Sequence, residues 1–335
     1  MQYSRAKHGI SQRHALCSIR GGKRRAATML LGAVAMLALS SPVSTMAAPE
    51  QDQPQAWPVR LKQDMVRLGL IEWRLRTAAG NACATLAADA GLIIDDRRAY
   101  DRKDWPLLAR TIGLQDDPQV VGLVGGGPAA RAGLREGDAI LAVGGQSIAT
   151  IVDRRKAGAL VAEALVEEIA ASDPGQPVAV SVRRDGAMLQ FRIQPAKHCA
   201  ARLVLVTNGS VDAHSDSRNV AISTGLIAFA RNDDEIALAA GHEMAHIMLH
   251  HRKGGGIAAR RRMEDDADSL GLRLMRCAGY DGEKALDLFR RLGSGDWLGF
   301  LRAPTHRSFG KRVARLKTEL AGAACPVELP AGHAG

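Results

Sequence analysis

The spacing of apolar residues along the chain predicts a fold that mixes helices with small sheets. A helical spacing between Trp57 and Ala79 predicts an amphipathic helix that packs on a core of this chain or on a partner, the core being the expectation. Its apolar positions are Leu61, Met65, Leu68, Ile71 and Leu75. Strand-like alternation on both sides of Asp185-Gly186 predicts a β-hairpin. The expected fold class is therefore α+β.

A second helical pattern carries candidate chemistry. Asn232 followed three residues later by Glu235 predicts a helix start, and apolar residues continue beyond it. Inside this helix, His242, Glu243 and His246 form the pattern His-Glu-x-x-His. Positions i and i+4 share one helix face, so both imidazoles can bind one zinc ion while Glu243 reaches a water on it.

A further helix offers a third ligand. Glu264 and Asp268 share one face of a helix that is expected to end near Gly279. Catalytic zinc usually takes three protein ligands, and Glu264 completes that set for one zinc per chain. Asp268 could accept the ring N–H of a ligand histidine. The alternative is a solvated acidic helix face.

His250 and His251 are expected to be helix-end residues favoured by the dipole, not ligands.

These two motifs, in this order and spacing, resemble zinc metallopeptidase family 48 over about residues 201–316. Asp266 stands where the family's Glu-x-Glu-Ala-Asp motif has its second Glu, which leaves the ligand position intact. The resemblance implies a mainly helical zinc protease domain with a small sheet edge. It also implies zinc held by His242, His246 and Glu264, with Glu243 as the general base.

The same resemblance suggests further site residues. The strand before the catalytic helix would hold an extended substrate at its edge, which assigns Val220, Ala221, Ile222 and Ser223 to substrate binding. His306 would plug the zinc site or, with Arg312, polarise the oxyanion. The Pro that follows this His in the family is missing here, and a surface loop His is the alternative.

Residues 125–145 resemble the signature of bacterial PDZ domains and predict a strand, a short helix ended by Gly133 and a strand to Val143. A long helix from about Ile151 to Ala171 should follow. The resemblance implies a partly open β-barrel with helices over 107–196 that interrupts the protease. PDZ domains bind the C-termini of other proteins, and the candidate carboxylate-binding loop is Ile112, Gly113 and Leu114. The alternative is a structural insertion with a closed groove.

The start of the chain has the composition of an export signal. Residues 1–47 hold seven Lys or Arg, no Asp or Glu, and an apolar run from Ala26 to Leu39, which predicts a signal peptide. An uncleaved leader that tethers the protein to a membrane surface is the alternative. The remaining sequence divides into an N-terminal helical part at 48–106, the PDZ module and a catalytic part at 197–335.

Charge excludes one class of partner. The full chain has a formal net charge of +10, but without the leader 38 basic residues face 35 acidic ones. A surface this close to neutral and poor in aromatics gives no reason to expect nucleic acid binding. The sequence does not define the oligomeric state.

Four cysteines remain after the leader, and an even number in an oxidising compartment suggests two disulfides among three connectivities. The pairing Cys83–Cys199 is favoured because these residues flank the inserted module, and Cys277–Cys325 because it ties the C-terminal tail to the ligand helix. Free thiols or a cysteine zinc site are the alternative, without Cys-x-x-Cys spacing to support it.

The sequence therefore predicts an exported zinc endopeptidase acting on polypeptides, with a PDZ module that recruits or regulates. The alternative is a non-enzymatic exported adaptor or holdase with a structural or latent zinc site. A role in quality control of envelope or periplasmic proteins follows from the resemblance alone.

Overall fold

The computed structural model describes residues 55–155, 158–252, 254–294, 307–322 and 324–329, and these residues form the α+β fold that the sequence predicts. The helices are α1 Trp57–Ala79, α2 Trp105–Ile112, α3 Pro128–Ala132, α4 Ile148–Arg154, α5 Val161–Ala170, α6 Thr224–Phe229, α7 Asp233–Met248, α8 Ile257–Cys277, α9 Gly282–Ser294 and α10 Phe309–Leu320. The strands are β1 Leu86–Asp89, β2 Leu92–Asp95, β3 Gln119–Leu123, β4 Ala139–Val143, β5 Gln146–Ser147, β6 Val178–Arg184, β7 Ala187–Ile193, β8 Ala196–Cys199, β9 Arg202–Val206, β10 Ala213–Ser215 and β11 Asn219–Ser223.

Helix α1 has the bounds that its apolar spacing predicts. It buries Leu68, Ile71 and Leu75 in the same core that α7 and α8 build, so the expected packing on a core of this protein is confirmed. The helix also contacts β2 and β3 of the inserted module. One element therefore packs against both parts of the structure.

The inserted module has its own core around a sheet with the strand order β2-β3-β4-β6-β7, to which β5 adds on β4. The predicted hairpin joins β6 to β7, and Asp185 and Gly186 at its turn have φ of 50° and 80°. Gly133 ends α3 in the left-handed conformation, as expected. Strand β2 belongs to this sheet although it precedes residue 107, where the sequence places the start of the module.

The single long helix predicted from Ile151 to Ala171 is wrong. The chain instead forms two helices, of which α4 ends at Arg154 and α5 begins at Val161. Gly158 has φ of 85°, and Leu160 has the extended backbone typical of a residue just before a helix. Two backbone conformations incompatible with an α-helix therefore break the apolar pattern that runs across them.

The rest of the chain packs α7, α8, α9 and α10 around a second core beside a sheet of order β10-β11-β9. Strand β11 pairs in parallel with β9 and antiparallel with β10. Among the described residues, no helix is both long and apolar enough to cross a membrane.

Both predicted disulfides are confirmed. Cys83–Cys199 closes the point where the polypeptide enters and leaves the inserted module, and there β1 and β8 pair antiparallel with Leu86 opposite Cys199. Cys277–Cys325 links the end of α8 to the C-terminal segment. Paired cysteines of this kind are typical of an oxidising compartment.

A buried charge network holds the same junction. The guanidinium of Arg76 donates to the Asp89 carboxylate at 2.7 Å and to the Cys199 carbonyl at 2.6 Å, and His198 Nδ1 lies 3.2 Å from Asp89. Burial alone would raise the pKa of Asp89, but its contacts with His198, Arg76 and the Gly91 amide outweigh burial and lower that pKa to about 2. The carboxylate therefore stays charged at the junction.

Candidate metal centre

Helix α7 presents the first two candidate ligands. The Asn232 side chain accepts a hydrogen bond from the Glu235 amide and so caps the helix start, as the sequence predicts. His242 is buried and His246 half-buried one turn later, and their Nε2 atoms lie 3.2 Å apart. The two lone pairs can therefore meet at one point.

Helix α8 brings a carboxylate to the same point. Glu264 Oε2 lies 3.4 Å from His242 Nε2 and 3.5 Å from His246 Nε2. Zinc bonded to such ligands at 2.0–2.1 Å in a tetrahedral arrangement requires ligand atoms about 3.3 Å apart. The three candidate ligands are thus a His/His/Glu group that could hold a metal ion, and their spacing suits zinc.

Two glycines let the helices approach closely enough. A Cβ on Gly241 would lie 2.8 Å from the Gly271 carbonyl oxygen, and a Cβ on Gly271 would lie 2.6 Å from the His242 nitrogen. Side-chain-free positions on both helices therefore set the distance between the histidines on α7 and the carboxylate on α8.

Asp268 fixes the orientation of His242. Its Oδ1 lies 2.9 Å from His242 Nδ1, the ring nitrogen turned away from Glu264. Burial opposes charge on His242, but the hydrogen bonds to Asp268 and Glu264 outweigh it and raise the pKa of the metal-free imidazole to about 9. The Asp268 carboxylate is also desolvated, yet the charges of Arg312 and His242 hold its pKa well below the usual range.

Arg312 has a different setting from the one expected for an oxyanion ligand. Its side chain is only 2% exposed and donates to both oxygens of Asp268, at 2.9 Å and 2.5 Å. The guanidinium stacks on Phe289 at 4.0 Å. Within the described part of the structure, its Nη1 atom has no hydrogen-bond partner. These contacts favour a role in holding Asp268, and the predicted oxyanion role stays a prediction.

Glu243 has a partner that sequence reasoning missed. Ser215 Oγ donates a hydrogen bond of 2.7 Å to Glu243 Oε2. Ser215 ends β10, a strand of only three residues that is too short to show an alternating pattern. The catalytic candidate on α7 is therefore oriented by the neighbouring sheet.

The expected substrate strand is the wrong one. Val220, Ala221, Ile222 and Ser223 lie in β11, the central strand, whose two edges pair with β9 and β10. Ser223 Oγ also accepts from the Leu226 amide at the start of α6. A substrate cannot add to a strand that is paired on both sides. Over the part of the chain that the structure describes, β10 pairs with β11 alone, so the edge of this sheet beside Glu243 is β10.

A small apolar cavity opens beside Glu243. Its lining comes from β10 and the residues before it, and from α6, α7, α9 and α10. The residues are Val211, Asp212, Ala213, Leu226, Ala239, His242, Glu243, Leu288, Phe289, Leu292 and Arg312.

The predicted carboxylate loop of the inserted module lies at a helix end. Ile112 closes α2, and the amides of Gly113 and Leu114 both donate to the Leu108 carbonyl. Leu114 is fully buried. These two amides cap a helix and are not available for a ligand carboxylate, which contradicts the assignment. In the described residues the edge strands of that sheet are β2 and β7. Strand β2 pairs with β3 alone and contacts α1 and α5.

Two predictions lie outside the described residues: the leader at 1–47 and His306. Both stay predictions.

Comparisons with known proteins agree with both recognised parts. The PDZ domain family matches residues 106–194, and Peptidase family M48 matches residues 188–258. His242 and His246 fall within the second match, whereas Glu264 lies beyond it. No curated protein matches the sequence.

Similar solved structures include "HtrA-type protease AlgW with decapeptide", at 24% identity and a TM-score of 0.26 over 33% of this chain and 30% of that one. Another is "HtrA-type protease AlgW with tripeptide", at 21% identity and a TM-score of 0.25 over 37% and 36%. The matched part thus spans about a third of the length of each.

Proposed function

We propose that this protein, which contains a PDZ domain and a segment of Peptidase family M48, is an exported zinc-dependent endopeptidase. The M48 match supports a metallopeptidase. The observation that carries the zinc assignment is the spacing of the His242, His246 and Glu264 ligand atoms, which lie 3.2–3.5 Å from one another. Glu243, adjacent to His242 on the same helix, is the proposed general base.

Four residues have assigned roles in the proposed reaction. His242, His246 and Glu264 would hold the zinc ion. When bound, zinc polarises the scissile carbonyl and lowers the pKa of a water molecule from 15.7 to about 7. The Glu243 carboxylate would accept a proton from the attacking water and deliver it to the leaving nitrogen.

The neighbouring contacts support that task. The hydrogen bond from Ser215 holds the Glu243 carboxylate in place, and the charged Asp268 keeps His242 Nε2 aimed at the ligand point.

Substrate would be held along the sheet. An extended polypeptide adds to the edge of β10, and the apolar cavity beside Glu243 receives one of its side chains. A second segment of the polypeptide, at its C-terminus, would pair with the β2 edge of the PDZ module.

The location follows from the cysteines and the start of the sequence. Two disulfides suit a periplasmic or envelope setting, to which the predicted leader would direct the protein.

The test compares the protein without its leader with Glu243→Gln, measuring zinc content and casein degradation. One zinc per molecule in both, with degradation lost in the variant, is the expected result. Degradation retained in Glu243→Gln would refute the base assignment. Zinc without degradation in either protein would favour the adaptor or holdase, whose binding function should be unchanged in the variant. His242→Ala is the control that should lose zinc.

A further inference from the structure

A histidine beyond the end of α7 contacts one of the candidate ligands. His251 Nδ1 lies 2.9 Å from His246 Nδ1, and the two rings meet edge to face with centroids 5.0 Å apart. This distance is that of a hydrogen bond between ring nitrogens. His251 therefore touches the side of His246 that points away from the proposed zinc position.

The backbone at the helix end creates this contact. The His250 amide donates to the Ile247 carbonyl at 3.1 Å, and the His251 amide donates to the His246 carbonyl at 3.0 Å. These two bonds are those of a Schellman motif, whose residue after the C-cap takes the left-handed conformation. Here that residue is His250, with φ of 51°. The turn folds the backbone around and lays His251 against the residue five positions earlier.

The chemistry of a histidine ligand suggests a role for the contact between His251 and His246. His246 Nε2 faces His242 and Glu264, so a bound metal would take its lone pair. The ring proton must then sit on Nδ1, which needs an acceptor to fix both the tautomer and the ring orientation. We propose that His251 is that acceptor and acts as a positioning residue for His246. This proposal rests on the proposed function.

The two ligand histidines then differ in the partner that holds them. Buried His242 is held by the carboxylate of Asp268, and that carboxylate forms an ion pair with Arg312. Half-buried His246 is held by the imidazole of His251. An imidazole can accept the ring proton without adding a further negative charge beside Glu264 and Glu243.

The test measures the zinc dissociation constant of the purified full-length protein by competition with a metallochromic chelator. His251→Ala removes the acceptor and should weaken zinc binding by roughly 10- to 100-fold. His251→Asn should restore affinity close to that of the wild type, because the Asn side-chain oxygen can occupy the position of Nδ1. His250→Asn is the matched control: it tolerates the left-handed backbone, keeps His251 in place and should leave affinity unchanged.

Thermal unfolding of the metal-free proteins separates positioning from folding. We expect His251→Ala to unfold at the wild-type temperature without zinc and to gain less stability when zinc is added. Unchanged zinc affinity in His251→Ala would overturn the proposal, as would an equal loss in His251→Asn. A wild-type protein that binds no zinc would instead overturn the proposed function.

Discussion

Gly241 and Gly271 face one another where α7 crosses α8, at a separation that leaves no room for a Cβ on either residue. The added carbon in Gly271→Ala would lie 2.6 Å from a backbone nitrogen, which cannot move aside as a flexible side chain would. We expect the helices to separate, with a loss of about 1–3 kcal/mol in the free energy of unfolding. Zinc affinity should fall as Glu264 moves away from the histidines. Calorimetry and chelator competition measure the two effects.

Gly310 on α10 is the matched control. A Cβ there would meet nothing within 4 Å, so Gly310→Ala should leave zinc affinity unchanged and stabilise the helix by up to about 1 kcal/mol. Wild-type affinity in Gly271→Ala would show that the close crossing does not set the ligand geometry.

Removing the Ser215 hydroxyl should slow peptide hydrolysis without removing the metal. Its hydrogen bond is donated to Glu243, a charged group, and bonds of this kind contribute about 1.5–3 kcal/mol. We expect kcat to fall by roughly 10- to 100-fold in Ser215→Ala at unchanged zinc content. Ser215→Thr keeps the hydroxyl and should retain most of the activity. Wild-type turnover in Ser215→Ala would exclude a positioning role for this contact.

The junction network predicts a pH dependence of stability. The pKa of Asp89 is about 2 in the folded protein, against 3.8 ordinarily. Because the pKa is lower in the folded protein, ionised Asp89 stabilises the fold, and this stabilisation is complete at pH values above 3.8. It is lost as the pH falls from 3.8 through about 2. Asp89→Asn should therefore cost on the order of 2 kcal/mol near neutral pH. The difference from wild type should narrow between pH 4 and pH 2, measured by denaturant titration at each pH.

Asp101→Asn serves as the comparison. The Asp101 side chain is 78% exposed, and its ion pair with Lys103, at 3.7 Å, lies at the protein surface. This substitution should change stability little at any of these pH values. A constant difference between Asp89→Asn and wild type across the range would contradict the assignment of charge to Asp89.

The sequence pattern correctly predicted the features of the fold that depend on interactions between residues close together in the chain. The bounds of α1, the turn at Asp185-Gly186 and the presence of His242, Glu243 and His246 on one helix follow from periodicity, turn chemistry and spacing within single elements. The position of Glu264 close to His242 and His246 was predictable because Glu264 lies in a continuous sequence motif of the same family. Such features need no knowledge of what packs against them.

Features that depend on non-local pairing were missed. Whether Val220–Ser223 is an edge or a central strand depends on β10, which is too short to be recognised from its sequence. Gly113 suits a ligand loop and a helix end equally well, and the hydrogen bonds from Gly113 and Leu114 to the Leu108 carbonyl identify the helix end. Ser215 and His251 acquire partners through folding, not through any motif.

The closed junction at β1 and β8 has a consequence for the history of the protein. Because the two strands run side by side and are fastened by Cys83–Cys199, the module is joined covalently to the catalytic part at the base of a hairpin, whatever length of polypeptide lies beyond it. A tight turn or an unrelated domain with neighbouring termini would present the same base. Recognition modules could therefore be exchanged at this junction, by evolution or by a protein engineer, while α7 and α8 keep their positions.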